Sequence, residues 1–95
     1  MINTKLLAEL CEVAGAPGHE NRVREIVLRE VKEIVDEINI DNMGNVIALK
    51  KGVKDKKVMI AAHMDEIGFI VTHIDDKGFV YFHTLGGFDP KTLTA

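Results

Sequence analysis

The hydrophobic positions repeat with two different periods, and the change between them divides the chain. Leu6, Leu7, Leu10, Cys11, Val13 and Ala14 recur at helical spacing, which predicts a first helix with one apolar stripe. Thr4 fits its N-cap, because a hydroxyl there can accept from a first-turn N–H. Gly15 and Pro17 end it, since proline has no N–H to give and glycine can take a positive φ. Cys11 falls on the stripe and reads as a small buried hydrophobe. A second helix is expected from about Glu20 to Asp36. Val23, Val27, Val31, Ile34 and Val35 form its stripe, with Ile26 beside it. Glu25 and Arg29 stand in the favourable i,i+4 order on its wet face. Glu20 suits the positive end of the helix dipole, and His19 reads as a capping or surface residue.

After the second helix the period falls to two. Glu37 to Asp41 alternates as a half-buried strand does, Asn42-Met43-Gly44-Asn45 is a turn by composition, and Val46 to Leu49 returns. Val58-Met59-Ile60-Ala61-Ala62 has no alternation. That predicts a strand covered on both faces, near the middle of a sheet. It stops at His63-Met64-Asp65-Glu66, and apolarity resumes from Ile67 to Ile74. Asp75 to Gly78 is a hairpin turn, and Phe79 to Leu85 is the returning strand. A register pairing Ile74 with Phe79 would put His73 opposite Val80 and His83 opposite Ile70. Gly86 to Pro90 breaks the strand, and Lys91 to Ala95 shows no pattern of its own. Together these give an α/β chain, with two N-terminal helices packed on a mixed β-sheet.

Composition narrows the function. At 95 residues there is room for one domain at most. A single cysteine makes no internal disulfide, which excludes a disulfide-stapled secreted fold. A net charge of −3 argues against a nucleic-acid partner or an anionic membrane surface. No apolar run approaches the roughly 20 residues of a membrane span, so a cytoplasmic chain is expected. Lys50, Lys51, Lys54, Lys56 and Lys57 read as solubilising residues that protect strand edges.

The candidate chemistry lies where the apolar run stops, because ligands in open α/β sheets bind beyond the carboxyl ends of strands. His63 and Asp65 are two apart and, on a strand, share a face. Imidazole is a good ligand for zinc and its neighbours. A carboxylate two residues on can ligate directly, or it can accept the other imidazole N–H and fix the tautomer. The plain alternative for His63 is a turn histidine bonded to Asp65. Glu66 is open to two readings, a general acid or a surface carboxylate. Asp65 and Glu66 make a poor glycosidase pair, because adjacent strand residues point to opposite faces and cannot flank one bond. His73 and His83 read as structural or solvent-facing.

Four stretches, in order and spacing, resemble the N-terminal part of the TET (tetrahedral) aminopeptidases, a family of dinuclear metallopeptidases. They are Gly15 to Glu20, Asp41 to Ala48, Val58 to Val71 with Ala62-His63-Met64-Asp65-Glu66-Ile67-Gly68, and Gly86 to Lys91. The resemblance implies that residues 1–85 are the N-terminal part of a zinc-peptidase-like α/β catalytic domain. It implies that residues 86–95 begin a crossover into an inserted β-barrel domain. It implies that His63 ligates one of two divalent metal ions, zinc or cobalt, and that Asp65 orients His63. The family's other acidic ligands and its general base lie later in the chain. The resemblance further implies peptide substrates and a large homo-oligomer, a dodecamer.

Three readings follow. The chain is the N-terminal portion of a metal-dependent aminopeptidase, inactive alone and with no metal necessarily bound. Alternatively it is a complete, non-catalytic α/β binding or assembly module. A third reading is a self-contained metal site built from His63, Asp65 and two of His19, His73 and His83.

Overall fold

The structure is a computed structural model that describes residues 2–94, the side chain of Thr94 excepted. Helix α1 spans Thr4–Glu12 and helix α2 spans Asn21–Val31. The α1 cap is Asn3 rather than Thr4, which is the first helical residue. The Asn3 side chain accepts from the Leu6 amide at 3.2 Å, so one of the unpartnered donors of the first turn is met. The chain leaves α1 at Val13, which is extended, two residues before Gly15.

Helix α2 is shorter than its apolar stripe predicts. A turn closed by the Ile34 amide on the Val31 carbonyl ends it, and the Asp36 amide then donates to the Leu49 carbonyl at 2.8 Å. The hairpin ladder takes over that backbone before the helix can continue. Arg29 does not pair with Glu25. It forks onto Glu9 of α1 with two bonds of 2.7 Å and also contacts Glu30. The guanidinium holds the Glu9 carboxyl below its ordinary pKa and is itself raised. Both partners are about half exposed, so this tie between helices aligns them more than it stabilises them.

Strands β1 (Glu37–Ile40) and β2 (Val46–Leu49) form one antiparallel hairpin, and β3 (Gly68–Ile74) and β4 (Val80–Leu85) form another. Ile70 faces His83 in the expected register. An irregularity between Val71 and His73 then shifts the pairing, so His73 faces Tyr81 rather than Val80. A short 3-10 helix covers Pro90–Thr94; Ala95 lies outside the described residues.

The α/β class is as expected, but the strands do not join into one mixed sheet: each sheet has two strands. Residues 58–62 form no strand at all. Val58 and Ile60 are 90% and 93% exposed. A strand covered on both faces needs hydrogen-bonded neighbours and a layer on each side. Every strand described here is paired within its own hairpin, so that run has neither. The core is correspondingly small. Val23 and Ile26 of α2 are the buried apolar side chains among the described residues, and Cys11 is exposed rather than buried. With α1 so lightly covered, its stripe faces solvent along much of its length. The radius of gyration is 17.8 Å, against about 12 Å for a compact domain of this length.

The first hairpin turn is held by Asp41. Its carboxylate accepts from the amides of Met43 and Asn45 at 2.9 Å and from Asn45 Nδ2 at 2.8 Å. Gly44 closes the turn at φ 84°, a conformation costly for other residues, and its carbonyl accepts from Arg24 of α2 at 3.1 Å. The Asn45 side chain, with the turn amides, holds the Asp41 carboxyl below its ordinary range. A carboxyl lowered in the folded state contributes fully above its unfolded pKa of about 3.9. That contribution is lost as pH falls through the lower folded value. In an acid titration the Met43 and Asn45 amide resonances should therefore move together, with a midpoint below that of a free aspartate. A midpoint at or above the free value would contradict this account.

Candidate functional site

The residues between the two hairpins, 50–67, contain neither helix nor strand, yet their last few are firmly placed. His63 Nδ1 lies 2.8 Å from Asp65 Oδ1 and 3.0 Å from the Asp65 carbonyl oxygen. A carbonyl oxygen can only accept, so Nδ1 is the donor to both. The neutral ring then carries its proton on Nδ1, and Nε2 presents a lone pair. Nε2 makes no hydrogen bond among the described residues. The His63 side chain is 85% exposed, while Asp65 is half-buried. The spacing of two thus brings the side chains together without a paired strand beneath them.

Glu66 is not a free surface carboxylate, because it is tied to Gly15. Its amide donates to the Gly15 carbonyl at 2.9 Å, and its Oε1 accepts from the Gly15 amide at 3.0 Å. These two bonds fasten the loop between α1 and α2 to the segment carrying His63. The fit is close. A Cβ at Gly68 would sit 2.7 Å from Ala16 Cβ and 3.3 Å from Pro17 Cδ. Neither atom is the end of a flexible side chain, so Gly68→Ala must displace the loop. We expect it to cost about 1–3 kcal/mol, read as a lower urea midpoint. An unchanged midpoint would show that the loop yields freely. The local signal for this contact was the small-residue run Gly15-Ala16-Pro17 that faces Gly68, and the Glu66 that Gly15 binds lies 51 residues away.

A shallow hollow of about 190 Å³ opens beside His63 and Asp65, closed on the other side by Leu85, Gly86, Gly87 and Phe88. Phe88 stands edge-on to Phe69 at 5.8 Å, and Phe69 to Phe82 at 4.8 Å, so the second hairpin supports that wall. Gly86 turns at φ 81° and directs the chain to the hollow. Two stretches far apart in sequence therefore meet at the His63–Asp65 pair.

The remaining histidines stay apart from it. The His73 ring lies 5.6 Å from that of Tyr81, His83 faces Ile70, and His19 is exposed before α2. Among the described residues no three His, Cys, Asp or Glu side chains gather into a cluster that could hold a metal ion. The self-contained metal site is not assembled. Nor is any helix among the described residues long and apolar enough to cross a membrane.

This chain is similar in sequence and fold to known proteins. The family model described as M42 glutamyl aminopeptidase matches residues 44–95. A putative aminopeptidase of Acetivibrio thermocellus is 55% identical over 82 residues, which cover 86% of this chain and 24% of the relative. The lysyl aminopeptidase of Pyrococcus furiosus is 43% identical over 96 residues, covering 100% of this chain and 28% of the relative. Among solved structures, a Pyrococcus horikoshii TET peptidase that can assemble into a tetrahedron or a large octahedral shell is similar at a TM-score of 0.74 and 36% identity. That match covers 95% of this chain and 27% of the peptidase. The chain spans about a quarter of the length of the curated relatives it matches.

Proposed function

The chain belongs to the M42 glutamyl aminopeptidase family, and from that premise we propose that it supplies one corner of a metal-dependent aminopeptidase site. The observation that carries this reading is the His63 ring. Its Nδ1 is committed to Asp65 through two acceptors, so Nε2 is left as a donor of the right chemistry for a divalent ion. Asp65 sets the tautomer and restrains the ring, which raises the basicity of the free nitrogen. In this reading His63 is the ligand and Asp65 the residue that orients it.

When bound, a divalent ion such as zinc or cobalt supplies Lewis-acid polarisation and an acidified water. A catalytic zinc usually takes three protein ligands, and this chain brings one. The other ligands of a two-ion site, and the carboxylate that moves the proton, would come from the rest of the aminopeptidase. Residues 1–85 would then be part of the catalytic domain, and residues 86–95 the start of a crossover into a second domain. We further propose that the whole enzyme removes N-terminal residues from peptides in the cytoplasm as a large homo-oligomer. The Pyrococcus horikoshii relative is known in such assemblies.

A chimera tests this directly. The matching segment of the Pyrococcus furiosus lysyl aminopeptidase is replaced by these 95 residues and assayed on lysyl-p-nitroanilide with added zinc or cobalt. Hydrolysis by the chimera supports the proposal, with the isolated chain inactive under the same conditions. A folded but inactive chimera would favour a non-catalytic module instead.

A further inference from the structure

We propose that Glu66 is a positioning residue that holds the His63 imidazole in place through the peptide group it shares with Asp65. The functional importance of that placement rests on the reading of His63 as a metal ligand; the mechanical coupling does not. The Asp65–Glu66 peptide is one planar unit, and both of its ends are used. Its carbonyl accepts from His63 Nδ1 at 3.0 Å. Its N–H donates to the Gly15 carbonyl at 2.9 Å. Turning that plane to satisfy one partner moves it off the other, so the Gly15 bond sets where the carbonyl points. The Glu66 side chain then closes the ring by accepting from the Gly15 amide at 3.0 Å.

Two close approaches make the clasp stiff. Gly15 has no room for a Cβ, which would meet Val23 Cγ2 at 2.5 Å, and Val23 is one of the two buried core side chains. Gly68 is pressed on Ala16 and Pro17 on the far side. The loop is therefore anchored to α2, and Glu66 transmits that anchorage to a segment that has no strand or helix of its own. Without it, an 85% exposed imidazole would depend on the Asp65 side chain and on a carbonyl held only by the single backbone bond to Gly15. What the role requires of Glu66 is an acceptor at the right reach, not a charge.

The test uses the 95-residue chain, with no metal and no substrate, so its outcome is independent of whether the aminopeptidase chimera works. Gly15 amide exchange and the His63 ring 15N spectrum, at a pH where the ring is neutral, are compared in Glu66→Gln, Glu66→Ala and Glu66→Asp. Glu66→Gln keeps an acceptor of the same reach and should match the parent in both readouts. Glu66→Ala and Glu66→Asp should speed Gly15 exchange by about fivefold to tenfold, the scale of one lost hydrogen bond. They should also change the His63 spectrum from the Nδ1–H form to a mixture of tautomers. Loss of the Nδ1–H form in a folded Glu66→Gln variant would overturn the proposal by making the charge the requirement. Retention of that form in Glu66→Asp or Glu66→Ala would overturn it by uncoupling the clasp from the ring. If Glu66→Ala fails to fold, the other two variants decide.

Discussion

His63→Ala in the aminopeptidase chimera is expected to abolish turnover of lysyl-p-nitroanilide, a larger loss than any other single substitution in these 95 residues. The reasoning is one of position along a chain of contacts. Removing the imidazole removes the donor atom, Nε2, and among the described residues no cluster of three His, Cys, Asp or Glu side chains stands ready to hold an ion without it. Asp65→Ala acts one step away, where losses of about 10–100-fold are usual. It should also be partial, because His63 Nδ1 has a second acceptor in the Asp65 carbonyl, which Asp65→Ala leaves in place. The order of effects is therefore His63→Ala well beyond Asp65→Ala. Measuring kcat/KM and bound metal for both variants checks it. A His63→Ala chimera within threefold of its parent, or an Asp65→Ala chimera more damaged than His63→Ala, would remove His63 from the site.

The pair itself was legible because it is local: two residues of complementary chemistry, two positions apart, at the end of an apolar run. The hairpins were legible for the same reason. Asp41 to Asn45 and Asp75 to Gly78 carry their turn chemistry within a few residues, and the period of two fixes which residues face one another. The one slip, His73 against Tyr81, comes from the irregularity after Val71, which alternation alone does not signal. What could not be read was non-local. Arg29 found Glu9 on the other helix rather than Glu25 on its own. The Glu66–Gly15 clasp joins residues 51 apart. Helix α2 ends at Val31 short of its apolar stripe, and the Asp36 amide beyond it is taken by Leu49, 13 positions on in the hairpin.

Residues 58–62 separate sequence pattern from structure most sharply, and they make the second large prediction. Their composition is that of a strand buried on both faces, but in this chain Val58 and Ile60 are 90% and 93% exposed. Composition records the environment in which a segment is used; exposure records which partners are within reach. If these residues form a central strand of a larger sheet, the double substitution Val58→Ser, Ile60→Ser should have opposite consequences in two settings. In the 95-residue chain it touches nothing buried. Stability should change by no more than about 0.5 kcal/mol, and solubility should rise as an exposed apolar run is broken. In the chimera the same change would delete two packed side chains, each worth about 2–5 kcal/mol. It would also bury hydroxyls that need new partners. The chimera should then fail to fold or lose most of its thermal stability, and its activity with it. Val53→Ser is the matched control, because Val53 is fully exposed in the bend preceding the run and should be silent in both settings. A chimera that tolerates the double substitution as well as the control would mean that the run is not a core strand. Its apolar character would then serve some surface function of the chain itself.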